Sequence, residues 1–180
     1  QLEQRSKRLM LLNRVGQSLN SILEIDALLE EILRAAHDAL EFERCAVLLR
    51  EPHKRELVVR AARHYARIVG MRIPMDQGLT GEVARSGKAL LVADTARDGR
   101  YIPGELDVAC EIAAPLVVRG EVIGVLDAGS SIKGAFNERD LELLSTFAAQ
   151  AATAIHNADL FHNLEEANRL LAQRDKSPKN

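Results

Sequence analysis

The side chains able to do chemistry are few, and their spacing matters more than their number. There are two cysteines, Cys45 and Cys110. They form no Cys-x-x-Cys or Cys/His set, so neither a disulfide framework nor a zinc site is indicated. Each lies in an apolar run, where a thiol is commonly an inert core residue. The five histidines are His37, His53, His64, His156 and His162, and none makes a His-x-x-x-His or His-Glu-x-x-His pair. His64 ends an apolar run beside Tyr65 and has the placement of a ligand-facing or haem-ligating group, or of a half-exposed strand-end residue. Carboxylates gather around one irregular stretch: Asp94, Asp98, Glu105, Asp107 and Glu111. No spacing among them fixes an acid–base or metal-binding pair. Arg97 and Arg100 in the same stretch could receive an anion. Gly78-Leu79-Thr80-Gly81 opens a helical pattern but lacks the Lys-Ser/Thr of a phosphate-binding loop, so nucleotide hydrolysis is not supported. No catalytic set, metal site or cofactor is named by these residues.

The elements that must position them are legible from periodicity. Leu2–Leu19 reads as a helix broken at Asn20-Ser21. Ser21 and Glu24 have capping-box spacing before a second helix over Ile25–Leu40. Strands are expected at Cys45–Leu49, Glu56–His64, Met71–Met75 and Ala89–Ala93, with a short helix at Leu79–Arg85. Asp94–Asp107 carries Gly99, Pro103 and Gly104 and reads as a long loop, the kind of segment that often carries function. Glu111–Val118 and Glu121–Ala128 form a hairpin about Arg119-Gly120, with Pro115 marking a bulge or unpaired position. Asn137 and Asp140 cap a helix from Glu138 to about Gln173, with Phe136 and Leu141 at staple positions. Its end carries Leu160, Leu164, Ala167 and Leu171 in 4-3-4 steps, a coiled-coil seam.

Composition narrows the function classes. The chain has 180 residues, 47% hydrophobic and 28% charged, with a net charge of -2, which suits one globular domain and not a polyanion-binding surface. Aromatics are 3% and Trp is absent, which argues against base stacking and nucleic-acid partners. No apolar run reaches the ~20 residues of a membrane span, and no signal peptide opens the chain. A cytoplasmic location and no membrane insertion are expected. The first residue is Gln, so the chain is expected to be part of a longer protein.

The ordered pieces between Ser21 and Ala158 resemble the GAF domain, a small-molecule-sensing module of signalling proteins. Gly78, Leu79, Gly81 and Val83 match its G-L-x-G-x-V opening, and Gly87 with Leu91–Asp94 its G-x-x-L-x-V-x-D segment. Glu111-Ile112 and Pro115-Leu116 match S-E-I-x-x-P-L, with Cys110 in place of the small hydroxyl residue. Gly124-Val125-Leu126 and Ser130, then Phe136 and Asp140, match the ending. The resemblance implies an α+β fold: a central, mostly antiparallel sheet of five or six strands, terminal helices on one face, and a short helix and long loop enclosing a pocket on the other. It also implies a division into an N-terminal signalling and dimerisation helix (1–20), a sensor domain (21–158), a coiled-coil extension (159–175) and a polar tail (176–180).

With that fold the loop Asp94–Ala109 must cover the pocket, and His64, Arg100, Tyr101, Cys110 and Glu111 are expected to border a ligand-binding site. The implied function is that of a bacterial-type regulator, not an enzyme. An unknown small molecule binds, and a homodimeric helical bundle passes the signal to an effector domain outside this chain. One alternative is a redox enzyme resembling free methionine sulfoxide reductases and working through Cys110. Those enzymes use several cysteines, some in the loop before this strand, and here that loop has none. The other is a structural dimerisation module with a collapsed pocket. The Asn-Lys…Phe…Asp-Glu pattern of cyclic-nucleotide-binding members is absent.

Overall fold

Arg44–Arg50 (β1) has neighbours on both edges and apolar layers on both faces, which is why its sequence is a nearly unbroken apolar run. The computed structural model describes residues 16, 18–65, 67–103 and 108–174. Most of the expected helix over Leu2–Leu19, residues 104–107 of the long loop and the polar tail lie outside them. A helix Ile25–Leu40 (α1) precedes β1; Glu56–Arg63 (β2), Arg72–Pro74 (β3), helix Gly78–Ser86 (α2), Leu90–Val92 (β4), Cys110–Val118 (β5), Glu121–Ser130 (β6) and helix Glu138–Arg174 (α3) follow. The strands form one six-stranded sheet in the order β3-β2-β1-β6-β5-β4, every neighbouring pair antiparallel. This is the α+β arrangement that the sequence pattern implies.

The two faces differ. α1 and α3 cover one face, burying Leu29, Ile32, Leu144, Phe147 and Ile155 against Cys45, Val47, Ile112, Leu116 and Leu126. The other face carries Ala46, Leu48, Leu57, Val59, Ala113 and Val125 and packs against the short helix α2 through Val83 and Ala84. The described end of the first helix packs on α3. Leu19 is fully buried in the larger core, Gly16 abuts Gln150, and Asn157 Nδ2 donates to Asn20 Oδ1 at 3.0 Å.

Local signals explain most boundaries. Asn137 Oδ1 accepts from Arg139 N (2.9 Å), and Asp140 Oδ2 accepts from Asn137 N (2.9 Å), a reciprocal cap for α3. Phe136 packs edge-on to Phe42, with centroids 5.5 Å apart. The capping box expected at Ser21/Glu24 does not form. Glu24 occupies the N-cap position without a side-chain bond, and Ser21 Oγ donates to the Ser18 carbonyl, closing the preceding helix instead. Arg119 and Gly120 both have positive φ (51° and 84°), the twist a two-residue hairpin loop requires. Pro115 pairs with Val125 of β6, but β4 ends opposite Ala113, so Pro115 faces no β4 partner. The bulge falls one step later, between Leu116 and Val117.

α3 is buried only as far as Ala158; Leu160, Phe161, Leu164, Leu170 and Leu171 are exposed. Its 37 residues extend about 55 Å at 1.5 Å each, well past the sheet. No helix among the described residues is long and apolar enough to cross a membrane.

Gly124 is the tightest point of the sheet, because a Cβ there would overlap the Leu48 carbonyl oxygen of β1 and crowd Leu49 and Leu116. Gly124→Ala is predicted to cost about 2–3 kcal/mol. Urea unfolding checks this, and an unchanged midpoint would refute it.

Candidate small-molecule cavity

The face left bare by the long helices is not filled. A cavity of about 330 Å³ lies between it, α2 and the segment Tyr101–Pro103. That is near the lower end of the ~300–1,000 Å³ usual for small-molecule sites. Ala46, Leu48 and Val59 of the sheet, Leu79 of α2, Ile102 of the loop and Val108 make its apolar wall. The loop over it is anchored at both ends. Thr95 N donates to the Ala109 carbonyl at 3.1 Å, and the Thr95 hydroxyl donates to the Val108 carbonyl. Lys133 Nζ bonds Asp94 Oδ2 at 3.0 Å and ties the loop's start to the β6–α3 turn.

Inside this apolar wall sit two carboxyl groups. Glu111 on β5 is 8% exposed and Asp127 on β6 is 7% exposed. Register places Glu111 opposite Gly129 and Asp127 opposite Ala113, so the two are diagonal neighbours on one face. Tyr65, just beyond β2, donates its hydroxyl to Asp127 Oδ2 at 3.4 Å. It fits there because position 129 has no side chain: a Cβ would stand 2.5 Å from Tyr65 Oη.

Burial dominates the electrostatics. It pushes the Glu111 carboxyl well above the usual carboxylate range, and the neighbouring Asp127 charge pushes the same way. Burial also raises Asp127, to about 6, while hydrogen bonds from Glu111 and Tyr65 hold it down. Both carboxyl groups are thus biased toward the protonated form, with burial the main cause in each. Asp127 Oδ1 is buried with no hydrogen-bond partner among the described residues.

A GAF-domain family model matches residues 24–155. The chain belongs to the GAF family. Its fold matches that of the GAF domain of an Acinetobacter phosphoenolpyruvate-protein phosphotransferase, with a TM-score of 0.77 at 23% identity over 86% of this chain and 95% of that one. It matches equally the free methionine-R-sulfoxide reductase of Neisseria meningitidis in complex with its substrate (TM-score 0.77, 22% identity, 85% and 90% coverage). A probable 3',5'-cyclic phosphodiesterase, pde-5 of Caenorhabditis elegans, is 22% identical over 92% of this chain and 25% of its own length. The chain spans 25%, 52% and 56% of three curated relatives it matches.

In this GAF domain the expected site residues separate. Tyr101 and Glu111 line the cavity. Cys110 adjoins Glu111 in β5 and so faces the opposite side, fully buried. Arg100 stays on the loop surface, held by Asp98 at 2.9 and 2.6 Å. His64 is exposed, at φ 58°, with its ring 5.4 Å from that of His37. These three are not in the cavity wall. Cys45 lies on the helix-covered face, its thiol pushed up to about 12 by burial. Among the described residues no group of three or more His, Cys, Asp or Glu could hold a metal ion. Sequence reasoning missed Tyr65 and Asp127. The signal for Asp127 was present, since it is the one charge between Val122 and Ser130.

A carboxyl whose folded value is raised favours the folded state at low pH and loses that contribution as pH rises through the folded value. For Asp127 the window runs from about 4 to about 6. Asp98, held at about 2 by Arg100, acts in the opposite sense, but only below pH ~4. The unliganded domain is therefore predicted to be more stable at pH 5 than at pH 8, by about 1–3 kcal/mol. Asp127→Asn should remove Asp127's share of that difference, leaving the part due to the buried Glu111, and stabilise the domain at pH 8. Urea unfolding at the two pH values measures both, and equal stabilities in the unmutated domain would refute the prediction.

Proposed function

We propose that this GAF domain is a sensory or regulatory, non-catalytic module. A small molecule would occupy the cavity, and the signal would leave through a dimeric helical bundle to an effector outside this chain. The observation that carries this reading is the cavity itself, apolar-walled with one buried polar end, the usual makeup of a small-molecule site. A cavity of this size also speaks against the collapsed-pocket alternative.

A route for the signal is present in β5. Its Glu111 lines the cavity and Ala113 lies in the small core on the same face, while Ile112, Ala114 and Leu116 sit in the core that α3 closes. A ligand that shifts β5 would press on α3. Coupling then requires that the ligand favour one of two helix arrangements. The seam of Leu160, Leu164, Ala167 and Leu171 runs along exposed helix, and a second copy is the simplest cover for it.

The reductase reading has the shared fold in its favour. Against it, no thiol borders the cavity; both cysteines are buried on strands with their side chains on the other side of the sheet. Two free, buried thiols also suit a reducing compartment such as the cytoplasm. Cys110→Ser is predicted to leave small-molecule affinity within about tenfold, or ~1.4 kcal/mol, by calorimetry. Loss of binding with an intact circular dichroism spectrum would favour the reductase reading.

The bundle has its own test. The domain is predicted to be a parallel homodimer at tens of micromolar, and Leu160→Glu with Leu164→Glu should shift it to monomer by placing charges in the seam. Light scattering reads the mass, and a monomer without the substitutions would sink the bundle.

A further inference from the structure

We propose that the cavity takes an organic cation: a compact, mainly apolar molecule whose protonated amine rests on Glu111 and Asp127. This deepens the reading of the cavity as the ligand site and depends on it.

Charge balance is the first reason. The acid pair is more than nine-tenths buried, and the one cation among the described wall residues, Arg72, is half exposed and engaged by Glu51 (3.4 Å) and Glu56 (3.2 Å). No cation of the described wall therefore answers the pair. Burial favours the uncharged forms of the pair, and Asp127 Oδ1 is buried with no hydrogen-bond partner among the described residues. A ligand ammonium would supply the missing charge and the missing donor together, leaving Tyr65 on Oδ2.

The second reason is stability. Two buried carboxyl groups disfavour folding where an apolar pair would pack without penalty. Such a cost is commonly retained where the groups serve a partner. Third, Leu48, Val59 and Leu79 make the wall beside the pair apolar, so the part of the ligand seated there is apolar. An anion, or a ligand with only acceptors, would meet lone pairs at the polar end. The charged or titratable groups near the pair include Tyr65 beyond β2, Arg44 and Cys45 on β1, Asp98 in the loop, Tyr101 in the wall and Cys110 behind β5; Arg44 acts on Tyr65, Asp127 on Cys45, and Asp98 and Cys110 on Glu111.

Matched probes test the proposal on the whole chain: isopentylamine against isopentanol, and benzylamine against benzyl alcohol, by calorimetry and thermal shift at pH 7.5. The amines are expected to bind at least tenfold more tightly than their alcohols, the factor expected of a charge-assisted over a neutral hydrogen bond. Asp127→Asn, which should fold at least as stably, is expected to abolish that preference while keeping alcohol binding, and Glu111→Gln to weaken it. Amine binding should also weaken from pH 7.5 to pH 5, as the pair takes up protons. Equal binding of amine and alcohol would overturn the ligand class and leave the cavity reading standing. A full amine preference in Asp127→Asn would overturn the role of the acid pair. If neither member of either pair binds at about 10 mM, the class and the cavity reading both fail.

Discussion

The constraint on which the rest of this molecule depends is the alternation of side chains along β1, β5 and β6. Each strand must satisfy two unlike environments at once, because successive residues point to opposite faces. In β5, Ile112, Ala114 and Leu116 belong to the layer under α1 and α3 and Cys110 is buried on the same side, while Glu111 and Ala113 point to the cavity side. The register with β6 then brings Asp127 to the side of Glu111 and leaves Gly129 to admit Tyr65. A slip of one residue would carry both carboxyl groups into the helix-covered core.

The faces also divide the energetic work. The helix-covered face is closed by large apolar groups such as Phe147, Leu144 and Ile112, all fully buried. The opposite face meets one nine-residue helix and an irregular loop, and it retains a void and two raised carboxyl groups. Packing on one side tolerates imperfect packing on the other. This division is the usual relation between a stable scaffold and the site it carries.

The sequence was most informative where one local signal decided one local outcome. Asn137 with Asp140 located the start of α3, and Arg119-Gly120 located the hairpin loop. The Ser21/Glu24 spacing misled because a serine hydroxyl can equally well close the helix before it, which is what Ser21 does. The site was harder to read. Nearness in the chain placed Cys110 beside Glu111 and Arg100 beside Tyr101, yet strand alternation sends the first pair to opposite faces, and a salt bridge keeps Arg100 on the surface. Asp127 was hidden for the opposite reason, since its partner Glu111 lies on the neighbouring strand and only the β5–β6 register joins them.

The two sheet margins limit how copies of this chain can meet. At one margin β3 is three residues long and ends at Pro74. At the other β4 is also three residues long, and the stretch of β5 that it leaves uncovered contains Pro115. Short outer strands and a missing amide donor make both margins poor templates for an added strand. Growth by edge-to-edge stacking is thereby discouraged in a protein whose sheet is largely apolar. The protruding helix carries no such constraint: its exposed leucines could be covered by a closed bundle of fixed copy number.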